Sequence, residues 1–162
     1  MNKTRNTLPP PPFVVKPFLH LTKQLQICLI CFARIKQAHW NVRGTTFIGL
    51  HKLLDEFAEK VMTHIDLAAE RATALGGIVE GTLRMAVKRS RLEKKEEPPS
   101  ISGMSDQALA DFHAEAGERV RNGIKKTTEA EDFGTADLLT DILRQLDLQL
   151  WLLEAHINQH KN

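Results

Sequence analysis

A chain of 162 residues with 42% hydrophobic and 26% charged side chains has the material for one folded domain, and too balanced a composition for a disordered or fibrous protein. No uninterrupted run of ~20 apolar residues is present to span a membrane, and the opening MNKTRNTLPPPPFVVK lacks the apolar core of a secretory signal, so the expected location is the cytoplasm. A formal net charge of +2 permits weak, salt-sensitive contact with nucleic acid without requiring it.

Residues 1–16 read as a tail: Pro9 to Pro12 favour an extended polyproline conformation, and Lys3, Arg5 and Lys16 make it weakly basic. The remaining residues, 17–162, read as one domain. Its first predicted helix runs from Pro17 to about Val42, with Phe18, Leu21, Leu25, Leu29 and Phe32 recurring at three and four. Cys28 and Cys31 lie on this apolar stretch. Two thiols are too few for a structural zinc site and no βαβ context supports redox chemistry, so they read as buried, reduced hydrophobes. Gly44 turns the chain, and Thr45 or Thr46 caps a second helix from about Phe47 to Leu75, which Gly76-Gly77 stops. Residues 78–104, which include KRSRLEKKEEPPS, are too many for a bare loop and predict a crossover carrying a short helix. Ser105 and Asp106 open a third long helix that runs to about Thr128, with Leu109, Phe112, Ala116 and Val120 on its apolar face. Thr135 caps the last, from about Ala136 to Gln159, which buries Leu139, Ile142, Leu146, Leu150 and Leu153. His64, His113, His156 and His160 read as surface residues. Asp132, Asp137 and Asp141 gather at the start of the last helix, where capping and the helix dipole are sufficient reasons for negative charge. The fold class is all-α, a four-helix bundle with a long crossover between its second and third helices.

The second helix carries the chemistry. His51 and Asp55 stand four apart, as do Asp66 and Glu70, so each pair shares a helix face and reaches a common point. On a continuous helix the step from His51 to Asp66 spans about 22 Å at ~1.5 Å per residue, too far for one ion, while ~100° per residue keeps both pairs facing roughly one way. An antiparallel copy crossing at a dyad between Lys60 and Val61 would set His51 opposite Glu70 of that copy, and Asp55 opposite its Asp66. Such an isologous contact gives two equivalent sites, each built from both subunits. With His39 joining from the preceding helix, the donors are imidazole and carboxylate, suited to iron, manganese or zinc and not to copper(I) or an iron–sulfur cluster. Taken singly, each carboxylate has an ordinary alternative as a solvated helix charge and His39 as a core histidine.

The run QAHWNVRGTTFIGLHKLLDEFAEKVMTHIDLAAERATALGG resembles the signature of the Dps family, the DNA-binding proteins from starved cells or mini-ferritins. It has the HW pair, the RG turn, the His with Asp four later and the D-x-x-A-E-R ending, in order and without a gap. TADLLTDILRQLDLQLWLLEAHI resembles the family's last helix. The resemblance implies a hollow homododecamer of ferritin-like subunits that oxidises ferrous iron, preferentially with hydrogen peroxide, and stores the ferric product. It implies further that His39, His51 and Asp55 of one subunit join Asp66 and Glu70 of its dyad mate around two ferrous ions, without an organic cofactor. Trp40 would stand beside that iron site and Asp137 in the iron-entry pore. DNA contact through the basic tail, and with it association with the nucleoid, is the family's other activity. A conventional ferritin or di-iron oxidase, with its centre inside one bundle, is disfavoured because no Glu-x-x-His occurs in the chain. The alternative function is a non-specific DNA-binding nucleoid protein in which iron oxidation is secondary.

Overall fold

A computed structural model of the protein describes residues 12–89 and 106–159, and no strand occurs among them. The helices are α1 (Pro12–Asn41), α2 (Phe47–Ala74), α3 (Leu83–Arg89), α4 (Asp106–Glu129) and α5 (Phe133–Gln159). The four long helices and the short crossover helix are thus as predicted. Residues 1–11 of the predicted tail, Ser105 and His160 lie outside the described residues. α1 begins at Pro12 and not at Pro17; a proline is tolerated at the first helical position because its missing N–H belongs to those that the start of a helix leaves unbonded.

Side-chain contacts fix the directions of the helices. Thr46 at the start of α2 meets His156 near the end of α5, and Arg71 near the end of α2 meets Asp132 at the start of α5, so these two helices are antiparallel. Along α1, Gln24 contacts Arg119 and Arg34 lies over Phe112, which makes α1 and α4 antiparallel too. α1 and α2 form one tightly packed hairpin and α4 and α5 the other, with α3 lying against α1. α2 and α4 therefore run the same way, which is why a long crossover must join them. None of the described helices is long and apolar enough to cross a membrane.

The core is the overlap of four apolar stripes. Leu21, Leu25 and Ile35 from α1, Leu54 from α2, Leu109 and Val120 from α4, and Leu139 and Leu153 from α5 are all buried. Cys28 and Cys31 are free and buried among them, and burial pushes the Cys28 thiol up to about 12. Midway, one polar layer crosses all four helices. His113 Nδ1–H donates to the Leu109 carbonyl at 2.8 Å, its Nε2 lies 3.2 Å from Gln149 Oε1 and 3.9 Å from Cys31 Sγ, and Gln149 Nε2 reaches the Phe57 carbonyl at 3.5 Å. His113 was expected at the surface and is 1% exposed. His64, expected there as well, is buried and reaches Asp141 at 3.1 Å. A histidine is amphipathic, and a carbonyl, amide or carboxylate partner is enough to admit it to a core.

Two helix ends follow the same scheme. At the end of α2, Gly77 N–H reaches Ala72 O and Gly76 N–H reaches Thr73 O, with Gly76 at φ 82, the Schellman arrangement that Gly76-Gly77 predicts. At the end of α4, Asp132 N–H reaches Thr127 O and Glu131 N–H reaches Thr128 O, and the left-handed position is filled by Glu131 at φ 57. Asp132 then opens α5: its Oδ1 accepts from Thr135 N–H at 3.1 Å, and its Oδ2 accepts from the Thr135 hydroxyl. The cap of α5 is therefore Asp132, and Thr135 is the third helical residue that the cap bonds. Thr46 does occupy the N-cap position of α2, yet its side chain makes no capping bond and meets His156 instead at 3.3 Å.

Candidate metal centre

The short connection between α1 and α2 folds the last turns of α1 onto the first turns of α2. His39, His51 and Asp55 thereby meet, with one ligand atom from each lying within 4.8 Å of the others. The two imidazoles stack with centroids 3.8 Å apart, and the Phe47 ring lies 5.0 Å from that of His51.

Hydrogen bonding decides which atoms face the common point. His51 Nδ1 is 3.1 Å from the His39 carbonyl; a carbonyl only accepts, so Nδ1 carries the proton and Nε2 keeps its lone pair. His39 Nε2 is buried and lies 3.0 Å from Asp55 Oδ2, but without the direction a hydrogen bond requires. A buried nitrogen left without a directed partner is costly in an ordinary core. Beside a second imidazole and a carboxylate, it fits a divalent ion of the iron, manganese or zinc type.

Lys36 completes the cluster, and the sequence reading passed over it. Its Nζ donates to Asp55 Oδ1 at 2.9 Å, stands 3.4 Å from His39 Nδ1 and lies 5.8 Å from the Trp40 ring centroid. The signal available was its place three residues before His39, on the same face of α1. The Lys36 hydrogen bond, opposed by some desolvation and aided by His39, holds the Asp55 carboxyl below its usual range. Trp40 itself is 68% exposed.

Asp66 and Glu70 do not join this cluster; both stand exposed farther along α2. Asp137 is exposed on α5. Its two acidic companions are each engaged with a cation, Asp132 with Arg71 at 2.7 Å and Asp141 with Arg144 at 3.1 Å, and Asp141 also meets the His64 ring at 3.1 Å.

Residues 19–162 match the ferritin-like domain family. The chain is 40% identical over 126 residues to the DNA protection during starvation protein of Agrobacterium fabrum, covering 76% of each. Its fold is similar to that of DpsC from Streptomyces coelicolor, with TM-score 0.81, 28% identity, and 97% of this chain and 90% of that one covered. A Dps protein from Vibrio cholerae O1, described as a member of a broad superfamily of ferritin-like diiron-carboxylate proteins, aligns with TM-score 0.80 at 25% identity over 90% of this chain and 91% of its own.

Proposed function

This chain belongs to the Dps family of ferritin-like proteins, and from that premise we propose that it oxidises ferrous iron at centres shared between subunits and stores the ferric product inside a closed homo-oligomer, a dodecamer. The observation that carries the reading is the convergence of His39, His51 and Asp55 within 4.8 Å, with a buried His39 nitrogen lacking a directed hydrogen bond. In this reading Asp66 of the partner subunit and Glu70 of the partner subunit complete the set, giving five ligands, three of them carboxylates, for two ferrous ions.

Iron is the substrate. The ligands hold two ferrous ions close enough to deliver electrons together, and the three carboxylates compensate charge as each ion becomes ferric. With hydrogen peroxide as the preferred oxidant, each iron gives up one electron. The O–O bond breaks, and two electrons and two protons turn peroxide into two waters, with no hydroxyl radical released. His51, oriented by its bond to the His39 carbonyl, needs no rearrangement to present Nε2. Exposed Trp40 stands beside the centre, and Asp137 is assigned to the pore through which iron enters, where carboxylates from several subunits focus cations.

The Agrobacterium relative is named for DNA protection. For this cytoplasmic chain we assign protection of DNA to the removal of ferrous iron and peroxide. Direct contact with DNA would fall to Lys3, Arg5 and Lys16, whose side chains lie outside the described residues.

The test is anaerobic loading with ferrous iron followed by a peroxide pulse. Wild type should form ferric iron rapidly at about two irons per peroxide, and Asp66→Ala should lose the fast phase while remaining an assembled oligomer. Slow oxidation that is the same in both proteins would overturn the reading.

A further inference from the structure

The polar layer midway along the bundle brings together three donor atoms from three helices. Cys31 Sγ comes from α1, His113 Nε2 from α4 and Gln149 Oε1 from α5, with Nε2 3.9 Å from the sulfur and 3.2 Å from the amide oxygen. Proton placement leaves this junction unfinished. The Leu109 carbonyl, 2.8 Å from His113 Nδ1, only accepts, so in the neutral ring Nδ1 carries the proton and Nε2 presents a lone pair. The Phe57 carbonyl orients the amide, taking its N–H at 3.5 Å and leaving Oε1 toward the ring. Two acceptors therefore face each other where His113 is 1% and Gln149 0% exposed. The Cys31 thiol is a weak donor that meets the ring nitrogen, so Oε1 stays unmatched. A second proton on the ring would match it, but would bury a full charge between Phe57 and Phe112, whose ring centroids lie 6.3 and 6.2 Å away.

We propose that this junction is a second metal site, separate from the cluster of His39, His51 and Asp55, and that it takes a thiophilic divalent ion of the zinc group between the Cys31 thiolate, the His113 imidazole and the Gln149 amide oxygen. The ion displaces the thiol proton to solvent and supplies the positive centre that the facing lone pairs lack. The separations suit it. Bonds of about 2.3 Å to sulfur and about 2.1 Å to nitrogen and oxygen would span 3.9 and 3.2 Å at angles of about 125° and about 100°, on either side of the tetrahedral value. The donors differ in kind from those of the other cluster: a thiolate replaces the carboxylate, which selects a softer ion than ferrous iron. Two thiols alone are too few for zinc, and folding adds an imidazole from α4 and an amide oxygen from α5. Cys28, three residues before Cys31, is not one of the three donors. An ion held here ties α1, α4 and α5 together midway along the bundle, and because the unfolded chain has no such site, binding stabilises the fold.

The test uses cadmium(II) as a redox-inert probe, titrated under argon into the assembled protein with a phosphine as reductant. Charge transfer from thiolate to cadmium gives an ultraviolet band that imidazole and carboxylate ligands do not produce, and Cys28 and Cys31 are the chain's only thiols. In wild type the band should grow to saturation at one cadmium per subunit. Cys31→Ser should abolish it, His113→Phe should weaken cadmium binding on the order of a hundredfold, and Cys28→Ser, the matched control, should keep it. A folded wild type without the band, whose thiols take up cadmium only after denaturation, would overturn the proposal. So would a band lost equally in both serine variants and untouched by His113→Phe, which would mean a chelate of the two cysteines on α1 alone. X-ray absorption of wild type loaded with one equivalent of cadmium decides the matter even where a variant fails to assemble: one sulfur per cadmium is expected, and none or two would overturn the site.

Discussion

Burial holds the His113 imidazole below its ordinary titration range, against the smaller help that the Leu109 carbonyl and Gln149 give the charged ring. A histidine whose folded value is depressed stabilises the fold fully at pH above its unfolded value, about 6.5. As pH falls below that value the unfolded chain gains a proton that the native ring refuses, and stability drops by at most ~1.4 kcal/mol per pH unit for one group. Melting temperatures at fixed protomer concentration should therefore fall between pH 7.5 and 5.5, and His113→Gln should shrink that difference while lowering both values. An unchanged difference would assign the acid sensitivity to other groups. At this scale the sequence was partly legible. The candidate ligands stood out because their types and spacing repeat at four, but nothing in the residues around His113 announces that Gln149, thirty-six positions away, waits to receive it.

Between α4 and α5 the chain has no slack, since Asp132 completes the end of one helix and caps the start of the next. The Asp132 carboxyl is raised by burial but brought net below its usual range by bonds from Thr135 and Arg71. Its stabilising contribution is present above the ordinary carboxylate value, about 3.9, and is lost as pH falls through the lower folded one. Asp132→Ala should cost about 1–2 kcal/mol, the upper part of the usual capping range, because Arg71 loses its partner as well. Glu131→Gly should do the reverse, gaining roughly 0.5–1 kcal/mol by relieving a side chain in the left-handed region. Chemical denaturation of both variants checks the pair, and a destabilised Glu131→Gly would show that its side chain makes contacts that outweigh the strain. This turn explains why the cap of α5 was misplaced in the sequence. Gly134 lies inside the first turn, where a Cβ would stand 3.1 Å from the Arg71 guanidinium. Glycine is there for a close approach that only the folded pair of helices creates. The stop of α2 was legible because Gly76-Gly77 is local chemistry, while Glu131 carries no such mark.

For the whole molecule, the bundle was legible from its four apolar stripes and the crossover from its length, because both are properties of one chain. The centre was legible as an incomplete one. Fifteen positions separate His51 from Asp66, and a rigid helix turns that number into a distance that no single chain closes. Lys36 stayed hidden because its partner, Asp55, is reached only after the hairpin folds. If each centre draws on two subunits, defects in different halves complement each other. Oligomers mixed from His51→Ala and Glu70→Ala subunits should recover part of the fast iron oxidation that each lacks alone, since some dyads collect both lesions in one centre and leave the other whole. No recovery in oligomers verified as mixed would count against the shared centre. The bundle meanwhile has its own safeguard against misalignment. Leucine and isoleucine stripes pack nearly as well one helical turn out of step, a slide of about 5.4 Å, and apolar contacts alone discriminate poorly between such neighbours. The layer of Cys31, Phe57 O, His113 and Gln149 does discriminate: in step, His113 meets the Leu109 carbonyl, Cys31 and Gln149, and Gln149 meets the Phe57 carbonyl, and one turn out of step an imidazole and an amide would be left stranded in oil. It works as a watermark does, unobtrusive when the sheets are aligned and plain to see when they are not.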